Sequence, residues 1–159
     1  MTTLVLVRHA KSDWGTPQLG DHDRPLNDRG LRDAPEMARR LAETGLRPTA
    51  ILSSTALRAR TTAGFFGAAL GLEPEPDPEL YGAPARTLLG AAARRGAAAV
   101  VVVAHDPGMT VLAEALSGGG IGHMPTCAVA VFEWATSDWD VASSIGPDRW
   151  SFDAPGHGQ

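Results

Sequence analysis

Cysteine is almost missing from this chain of 159 residues, since Cys127 is the single one and no internal disulfide can form. A chain without disulfides is typical of a reducing compartment, so we expect a cytoplasmic protein. Cys127 lies in the apolar stretch TCAVAVF. That stretch predicts a buried strand, so we interpret the residue as a core thiol rather than a nucleophile.

Long apolar runs and an excess of positive charge are missing as well. No stretch approaches the roughly 18 apolar residues of a membrane span. The opening MTTLVLVRHA lacks the basic leading region of a signal peptide. The 18 acidic residues outnumber the 14 lysines and arginines, which gives a net charge of −4. This balance argues against nucleic acid as the main partner, although a local group of arginines can still bind one small anion. The missing apolar span gives the expectation of no membrane partner.

Strand and helix patterns alternate along the rest of the chain. The predicted strands cover residues 3–8, 49–54, 97–105 and 126–134, and the predicted helices cover residues 31–45, 56–71, 83–95 and 106–120. This alternation predicts an α/β fold, a three-layer sandwich with a mostly parallel central sheet flanked by helices. We expect one domain over residues 1–153, followed by a loose tail over residues 154–159 that contains His157.

Three local expectations complete this outline. Residues 11–30 are rich in Gly, Pro and Asp and are expected to form a loop. Residues 139–145 are expected to pair with residues 126–134 as an antiparallel edge hairpin near the C-terminus. The helix after the valine-rich strand is expected to begin with Asp106 as its N-cap and Pro107 at its first position.

Ionisable side chains directly follow two of the predicted strands. Arg8 and His9 come after LVLV, and His105 comes after VVVVA. Because ligands bind at the carboxyl ends of parallel strands in open α/β sheets, both histidines are expected to face one crevice. Arg58 opens the helix after the strand AILSS and is expected to project from the same edge. The sequence therefore predicts that these four side chains converge.

Such a group suits a phosphoryl ligand. Two arginines can fork around an oxyanion with paired N–H donors. His105 precedes a helix N-terminus, where free N–H groups favour an anion. A second histidine aimed at the centre of that anion can attack it, so His9 is the predicted nucleophile. The surrounding cations would stabilise the charge that spreads over the oxygens during transfer.

Each of these residues also has a plainer interpretation. Arg8 and His9 could cap a strand against a carboxylate, and His105 could be a buried structural histidine. Arg60 could enter the pocket in place of Arg58, although the register of LRA favours Arg58. The histidine spacings match no zinc pattern, and neighbouring arginines would oppose a metal ion.

The other aromatic and histidine side chains are interpreted as bystanders. The tryptophans, Trp14 included, are expected to serve packing. Tyr81 follows a proline-rich loop and could lie near the pocket, although packing in the core or the loop is the expected role. His22, in the acidic stretch GDHDR, is expected to be solvated. His123 is expected to be a loop residue outside the pocket.

Four motifs together resemble the histidine phosphatase superfamily, also called the phosphoglycerate mutase-like fold. They are VRHAKSDW, DRPLNDRG, SSTALRARTTA and VVVAHDPGM, and the resemblance runs from residue 3 to about residue 134. More narrowly, the sequence resembles the compact phosphohistidine phosphatase branch, the SixA type. The resemblance implies a phosphoglycerate mutase-like fold and a metal-independent hydrolase without an organic cofactor.

The resemblance also implies a role for each matching residue. His9 matches the residue that becomes phosphorylated, and Arg8 and Arg58 match the arginines that clamp the phosphate. His105 matches the second histidine, which holds the transferring phosphate. Arg24, in RPL, is typical of the SixA branch and is expected at the pocket rim as a third cation.

One role of the larger superfamily members has no clear counterpart. They place a carboxylic acid between the second arginine and the second histidine to protonate the leaving oxygen, and the candidates here are Asp77 and Glu79 in PDPELYG. A phosphorylated imidazole leaves easily once it is protonated, whereas an alkoxide needs an acid. A weak or missing acid therefore favours phosphohistidine over sugar phosphates. Asp106 also departs from the usual asparagine, and its carboxylate is unfavourable near phosphate unless it caps the helix.

The leading hypothesis is a phosphatase that hydrolyses phosphohistidine on a protein partner through a phospho-His9 intermediate. The first alternative is a phosphomonoesterase for small phosphorylated substrates, and the second is a non-catalytic module that binds phosphate or phosphohistidine. The sequence does not determine the oligomeric state, for which a monomer is the default expectation.

Overall fold

The computed structural model describes residues 1–14 and 18–156, and in these residues strands and helices alternate. The strands are β1 (Thr2–Arg8), β2 (Ala50–Ser53), β3 (Glu75–Pro76), β4 (Ala99–Ala104), β5 (Val129–Trp134) and β6 (Arg149–Asp153). The helices are α1 (Asp28–Glu43), α2 (Leu57–Leu70), α3 (Ala85–Arg95), α4 (Gly108–Leu116) and α5 (Trp139–Ala142), with 3₁₀ turns at Asp21–Asp23 and Pro78–Leu80.

The strands form one mixed sheet in the order β3-β2-β4-β1-β5-β6. Strands β3, β2, β4 and β1 are parallel, and β5 and β6 are antiparallel to their neighbours. The predicted α/β sandwich with a mostly parallel sheet and an antiparallel hairpin near the C-terminus is confirmed. Prolines in the segment around β3 suit its place at the sheet edge, where a missing N–H costs no ladder bond.

Helices cover both faces of the sheet. Because side chains alternate along a strand, Leu4 and Leu6 of β1 pack into the core layer that contains residues of α3 and α4. Val5 and Val7 pack into the opposite layer, with residues of α1 and α2. A strand buried on both faces has no polar alternation, which explains the uniform apolar runs in the sequence.

The prediction that residues 139–145 form the hairpin strand is wrong. Asp138 accepts a hydrogen bond from the Asp140 N–H, and the chain makes one helical turn, α5. Trp139 and Ala142 are buried by that turn, and the Trp139 indole donates to the Ala97 carbonyl. The strand that pairs with β5 is β6, which begins at Arg149.

The prediction of a loop over residues 11–30 is wrong at its C-terminal end, where α1 begins at Asp28. Asn27 accepts a hydrogen bond from the Gly30 N–H, and this cap lets α1 begin at Asp28. Pro35 lies inside α1 without ending it.

The expected start of α4 is one residue early. Pro107 is the capping residue by position, and the Asp106 carboxylate reaches past it to accept from the Thr110 N–H. Cys127 is buried, as expected, but it lies in a turn before β5 with a φ of 62° rather than in the strand. Its N–H donates to the carbonyls of Arg8 and His9.

Within the described residues, no helix is both long enough and apolar enough to cross a bilayer. Part of the predicted tail, including His157, lies outside these residues, whereas the Ala154 carbonyl accepts a hydrogen bond from Arg40. The single-domain boundary and the loose tail stay predictions.

Candidate active site

The register of the sheet brings the two predicted histidines together. Arg8 pairs with Ala104 across β1 and β4, so His9 and His105 each stand one residue beyond the same row of the sheet. Their ring centroids are 5.0 Å apart. Arg58 lies in the first turn of α2, directly after β2. The predicted convergence of four side chains at the carboxyl ends of the strands is thus seen in the structure.

These residues line a cavity of about 280 Å³. Its walls are formed by Arg8, His9, Lys11, Ser12, Trp14, Asp21, Arg24, Arg58, His105, Asp106 and Thr126. Four cationic side chains and two carboxylates stand among these lining residues. With both histidines neutral the formal charge is +2, which complements a phosphoryl dianion.

His9 is held as a neutral ring with a defined tautomer. It is 7% exposed, and its Nδ1 lies 2.7 Å from the Ala10 carbonyl oxygen. A carbonyl can only accept, so Nδ1 carries the proton and Nε2 keeps the lone pair. Burial, and secondarily the charges around the ring, lower the pKa of His9 to about 3, against the opposing Ala10 hydrogen bond. A free lone pair at neutral pH is what a nucleophile requires.

His105 is also buried and neutral. Its Nε2 lies 2.7 Å from the Ser54 hydroxyl, and its Nδ1 is buried without a hydrogen-bond partner. Burial, followed by the nearby Arg58 charge, lowers the pKa of His105 to about 4. A buried polar atom without a partner is uncommon in folded proteins, and here it stands beside the predicted nucleophile.

Arg8 and Arg58 each have a buried N–H group without a hydrogen-bond partner. Arg8 donates to the Met124 carbonyl and lies 3.4 Å from the Asp106 carboxylate, while its Nε is buried without a partner. Arg58 is 5% exposed, and its Nε is likewise unpartnered. Arg60, its rival in the sequence, donates to the Thr55 carbonyl at the exposed side of α2. The structure therefore places Arg58 rather than Arg60 in the pocket.

Asp106 is prevented from opposing an anion by its own contacts. One carboxylate oxygen accepts from the Thr110 N–H at 2.9 Å, and both oxygens lie 2.9 Å from the Thr110 hydroxyl. The second oxygen also faces Arg8. The carboxylate is thus used for capping α4 and for orienting Arg8, as the sequence required of it.

The two predicted acids are not brought to the pocket. Asp77 accepts from the Glu79 N–H and caps the 3₁₀ turn that follows it. Glu79 pairs with Arg94 of α3 at 3.1 Å. Neither carboxylate is among the residues that line the cavity.

Asp21 is the pocket carboxylate that the sequence reasoning missed. Its Oδ1 lies 3.1 Å from Arg24 Nε, and its Oδ2 lies 3.0 Å from Arg58 Nη2. The Tyr81 hydroxyl also donates to Oδ2. The Tyr81 hydrogen bond, with those of Arg58 and Arg24, holds the pKa of the Asp21 carboxyl well below its usual range. The sole hint in the sequence was its position three residues before Arg24.

Three side chains interpreted as bystanders lie at the site. Trp14 is 72% exposed and stacks on Arg24, whose guanidinium carbon is 3.5 Å from the ring centroid. The Tyr81 ring stands 5.6 Å from that of His105. His22 hydrogen-bonds to the Thr55 hydroxyl and meets the Tyr81 ring edge-on. Trp14 therefore lines the cavity, which its interpretation as a packing residue did not predict. Tyr81 packs against neighbouring rings beside the pocket, and the side chain of His22 is 45% exposed, as those two interpretations allowed.

Two further predicted residues are placed by the structure. Arg24 lines the pocket as a further cation, although it is buried in the wall, where it donates to the Ser12 hydroxyl, rather than exposed at the rim. His123 is exposed and does not line the cavity, as expected.

The chain shares its sequence pattern and its fold with known proteins. Residues 4–82 match the family described as histidine phosphatase superfamily (branch 1). An uncharacterised protein of Mycobacterium tuberculosis is 35% identical over 156 residues, which cover 88% of this chain and 97% of that one.

Two solved structures are similar over nearly the whole chain. A protein assigned as the phosphohistidine phosphatase SixA from Agrobacterium tumefaciens has a TM-score of 0.81 and 32% identity, covering 97% of this chain and 98% of that chain. A protein from Nakamurella multipartitia with the same assignment has a TM-score of 0.84 and 26% identity, covering 98% and 96% of the two chains. The resemblance predicted from the four motifs is confirmed: this chain belongs to the histidine phosphatase superfamily.

Proposed function

We propose that this protein is a phosphatase that hydrolyses phosphohistidine on a protein partner through a phospho-His9 intermediate. The observation that carries the proposal is His9 itself, a neutral ring with its Nε2 lone pair free at the base of a cationic pocket. Membership of the superfamily and the similarity to proteins assigned as SixA support it.

The first step transfers the phosphoryl group to His9. Nε2 attacks phosphorus, the P–N bond to the substrate breaks, and its electron pair goes to the leaving ring nitrogen. The unpartnered N–H groups of Arg8 and Arg58 are placed to bind the phosphoryl oxygens as charge spreads over them. His105, with its free Nδ1, contacts the same group from the neighbouring strand.

The second step returns His9 to its starting state. Because Nδ1 keeps its proton on the Ala10 carbonyl, phosphorylation of Nε2 makes the ring a cation, which is a good leaving group. Water attacks phosphorus, the P–N bond breaks, and its electron pair returns to Nε2. The hydroxyl stays on the phosphate and the remaining proton passes to solvent.

The choice of phosphohistidine follows from the carboxylates. Asp77 and Glu79 do not line the pocket, and the two carboxylates that do, Asp21 and Asp106, are held by arginines. An ester that leaves as an alkoxide would need a proton donor, whereas a protonated imidazole would not. A cytoplasmic location, a monomeric state and independence of metals and cofactors stay predictions.

The testing experiment compares initial rates of phosphate release from a phosphohistidine protein and from glycerol 2-phosphate, an ester whose leaving group is an alkoxide, with EDTA present. We expect faster release from phosphohistidine, and a loss of at least ~10³-fold in His9→Ala. His123→Ala is the matched control, since that histidine is exposed and outside the pocket. Faster release from the ester would make the protein a phosphomonoesterase, and phosphate binding without turnover would make it a binding module. Either result would contradict the proposal.

A further inference from the structure

The mouth of the pocket is built from different residues than its base. His9, Arg58 and His105 are almost fully buried. Trp14 is 72% exposed, and the Asp21 side chain is 50% exposed. We call Trp14 and Asp21 the mouth pair. The mouth therefore presents an aromatic face and a carboxylate to whatever enters.

A single guanidinium holds the mouth pair together. Arg24 Nε donates to Asp21 Oδ1 at 3.1 Å, and the same guanidinium stacks on one face of the Trp14 ring at 3.5 Å. Arg24 is buried and is held in turn by the Ser12 hydroxyl at 2.8 Å. Because its anchor is fixed in the wall, the mouth pair is organised before substrate arrives.

The reaction geometry points the leaving group at this pair. Phosphoryl transfer proceeds with the attacking and leaving atoms roughly in line through phosphorus. The attacking Nε2 belongs to buried His9 at the base, so the leaving atom faces the opening. The exposed lining at that opening includes Trp14 and Asp21.

The mouth pair favours a cation. The Asp21 carboxylate is ionised, since the Tyr81 hydroxyl, Arg58 and Arg24 all donate to it. Its pKa lies well below the usual range, so it is a poor proton donor at neutral pH but can accept an N–H. Tryptophan is the aromatic side chain that binds cations best. Lys11 also lines the cavity, as a cation available to the phosphoryl oxygens.

We propose that the mouth pair selects a phosphorylated imidazolium as the leaving group, with Asp21 accepting its ring N–H and Trp14 contacting its ring face. In the transfer step the P–N bond breaks and its pair stays on the leaving nitrogen. The ring already carries a proton on its other nitrogen, so it departs as neutral imidazole without an acid. This inference rests on the proposed function and names the residues that give it its substrate class.

The test measures kcat/KM on two substrates that share the phosphoryl group and differ in the leaving group, phosphohistidine and glycerol 2-phosphate, which has neither a ring nor an N–H. The ratio compared between variants is kcat/KM for phosphohistidine divided by kcat/KM for the ester. Asp21→Asn is expected to lower the ratio of the two values about tenfold, as expected for losing a charge-assisted hydrogen bond to the leaving ring. Trp14→Ala is expected to lower the same ratio about threefold. Asp23→Asn is the matched control, because Asp23 is in the same 3₁₀ turn and does not line the cavity.

The outcomes separate this inference from the proposed function. An equal loss on both substrates in Asp21→Asn would overturn the inference, since it would show that Asp21 only orients the arginines. Vanadate inhibition of the variant checks that the base of the pocket still binds an oxyanion. If Asp21→Asn does not fold, the exposed Trp14→Ala variant decides, and an unchanged ratio there overturns the inference. Wild-type protein that releases phosphate only from the ester would instead contradict the proposed function.

Discussion

Lowering the pH from 7 to 5 is expected to destabilise the folded protein through its two buried imidazoles. In the unfolded chain both rings take up protons near the ordinary pKa of 6.5, whereas in the fold the pKa of His9 is about 3 and that of His105 about 4. Between these values the unfolded state binds more protons, so stability falls as the pH drops below 6.5 and stops falling once the folded rings protonate. The depressed pKa of Asp21 acts only below its ordinary value of 3.8, outside the range from pH 7 to pH 5.

The magnitude follows from the same pKa differences. At pH 5 each ring costs about 2 kcal/mol relative to a histidine with the ordinary pKa, so the two together cost about 4 kcal/mol of unfolding free energy. Urea unfolding at pH 7, 6 and 5 measures this change. His9→Asn and His105→Asn are each expected to remove about half of the pH dependence. His123→Asn, at an exposed site, is expected to leave it unchanged.

Histidine nitrogen NMR on the native protein gives the direct check. His9 is expected to stay neutral at pH 5, with the proton on Nδ1, because that nitrogen donates to the Ala10 carbonyl. A ring that titrates near pH 6.5, or a proton found on Nε2, would refute the reasoning about the nucleophile. Unfolding free energies that agree at pH 7 and pH 5 within ~1 kcal/mol would refute the reasoning about burial.

Three other predictions concern the pocket wall and the core. Arg58→Lys is expected to lower kcat/KM for phosphate release by about 10²-fold, because an ammonium cannot fork around phosphoryl oxygens. Arg60→Lys is the control and is expected to have no effect. A kcat/KM of Arg58→Lys within about threefold of the wild-type value would contradict this prediction. Gly30→Ala is expected to destabilise the fold by at least ~2 kcal/mol, since its Cβ would lie 2.2 Å from the Lys11 carbonyl oxygen. Gly64→Ala, with open space around it, should be neutral or stabilising in the same denaturation assay. Burial raises the pKa of Cys127 to about 12, so iodoacetamide at pH 8 should label it only after unfolding.

The alternation of strands and helices could be predicted from the sequence because each buried strand is a continuous apolar run between helical patterns. The hairpin partner could not, since residues 139–145 contain the β-branched Val141 and Ile145 that also suit a strand. The Asp138 cap and the burial of Trp139 decided for a helical turn. The burial of Trp139 thus outweighed the strand preference of this short segment.

The core of the site could be predicted for a geometric reason. Parallel strands end at one edge, so residues that directly follow β1 and β4 must be neighbours, and His9 and His105 are. Asp21 and Trp14 lie in the irregular segment between β1 and α1, whose path depends on the contacts of Arg24. No periodicity describes such a path, so their place at the pocket could not be read from spacing.

The division between base and mouth also explains how the pocket tolerates two carboxylates beside a phosphoryl group. Asp106 is bound by Thr110 and Arg8 at one wall, and Asp21 is bound by Arg24 and Arg58 at the opening. An arginine therefore compensates the negative charge of each carboxylate before the phosphoryl group arrives. The remaining formal charge of the lining residues, +2, still matches a dianion. On the proposed function, the base then determines that phosphorus is attacked by His9. On the proposed function, the opening determines which group leaves, and a carboxylate that is ionised before substrate binds favours a cationic ring over an alkoxide.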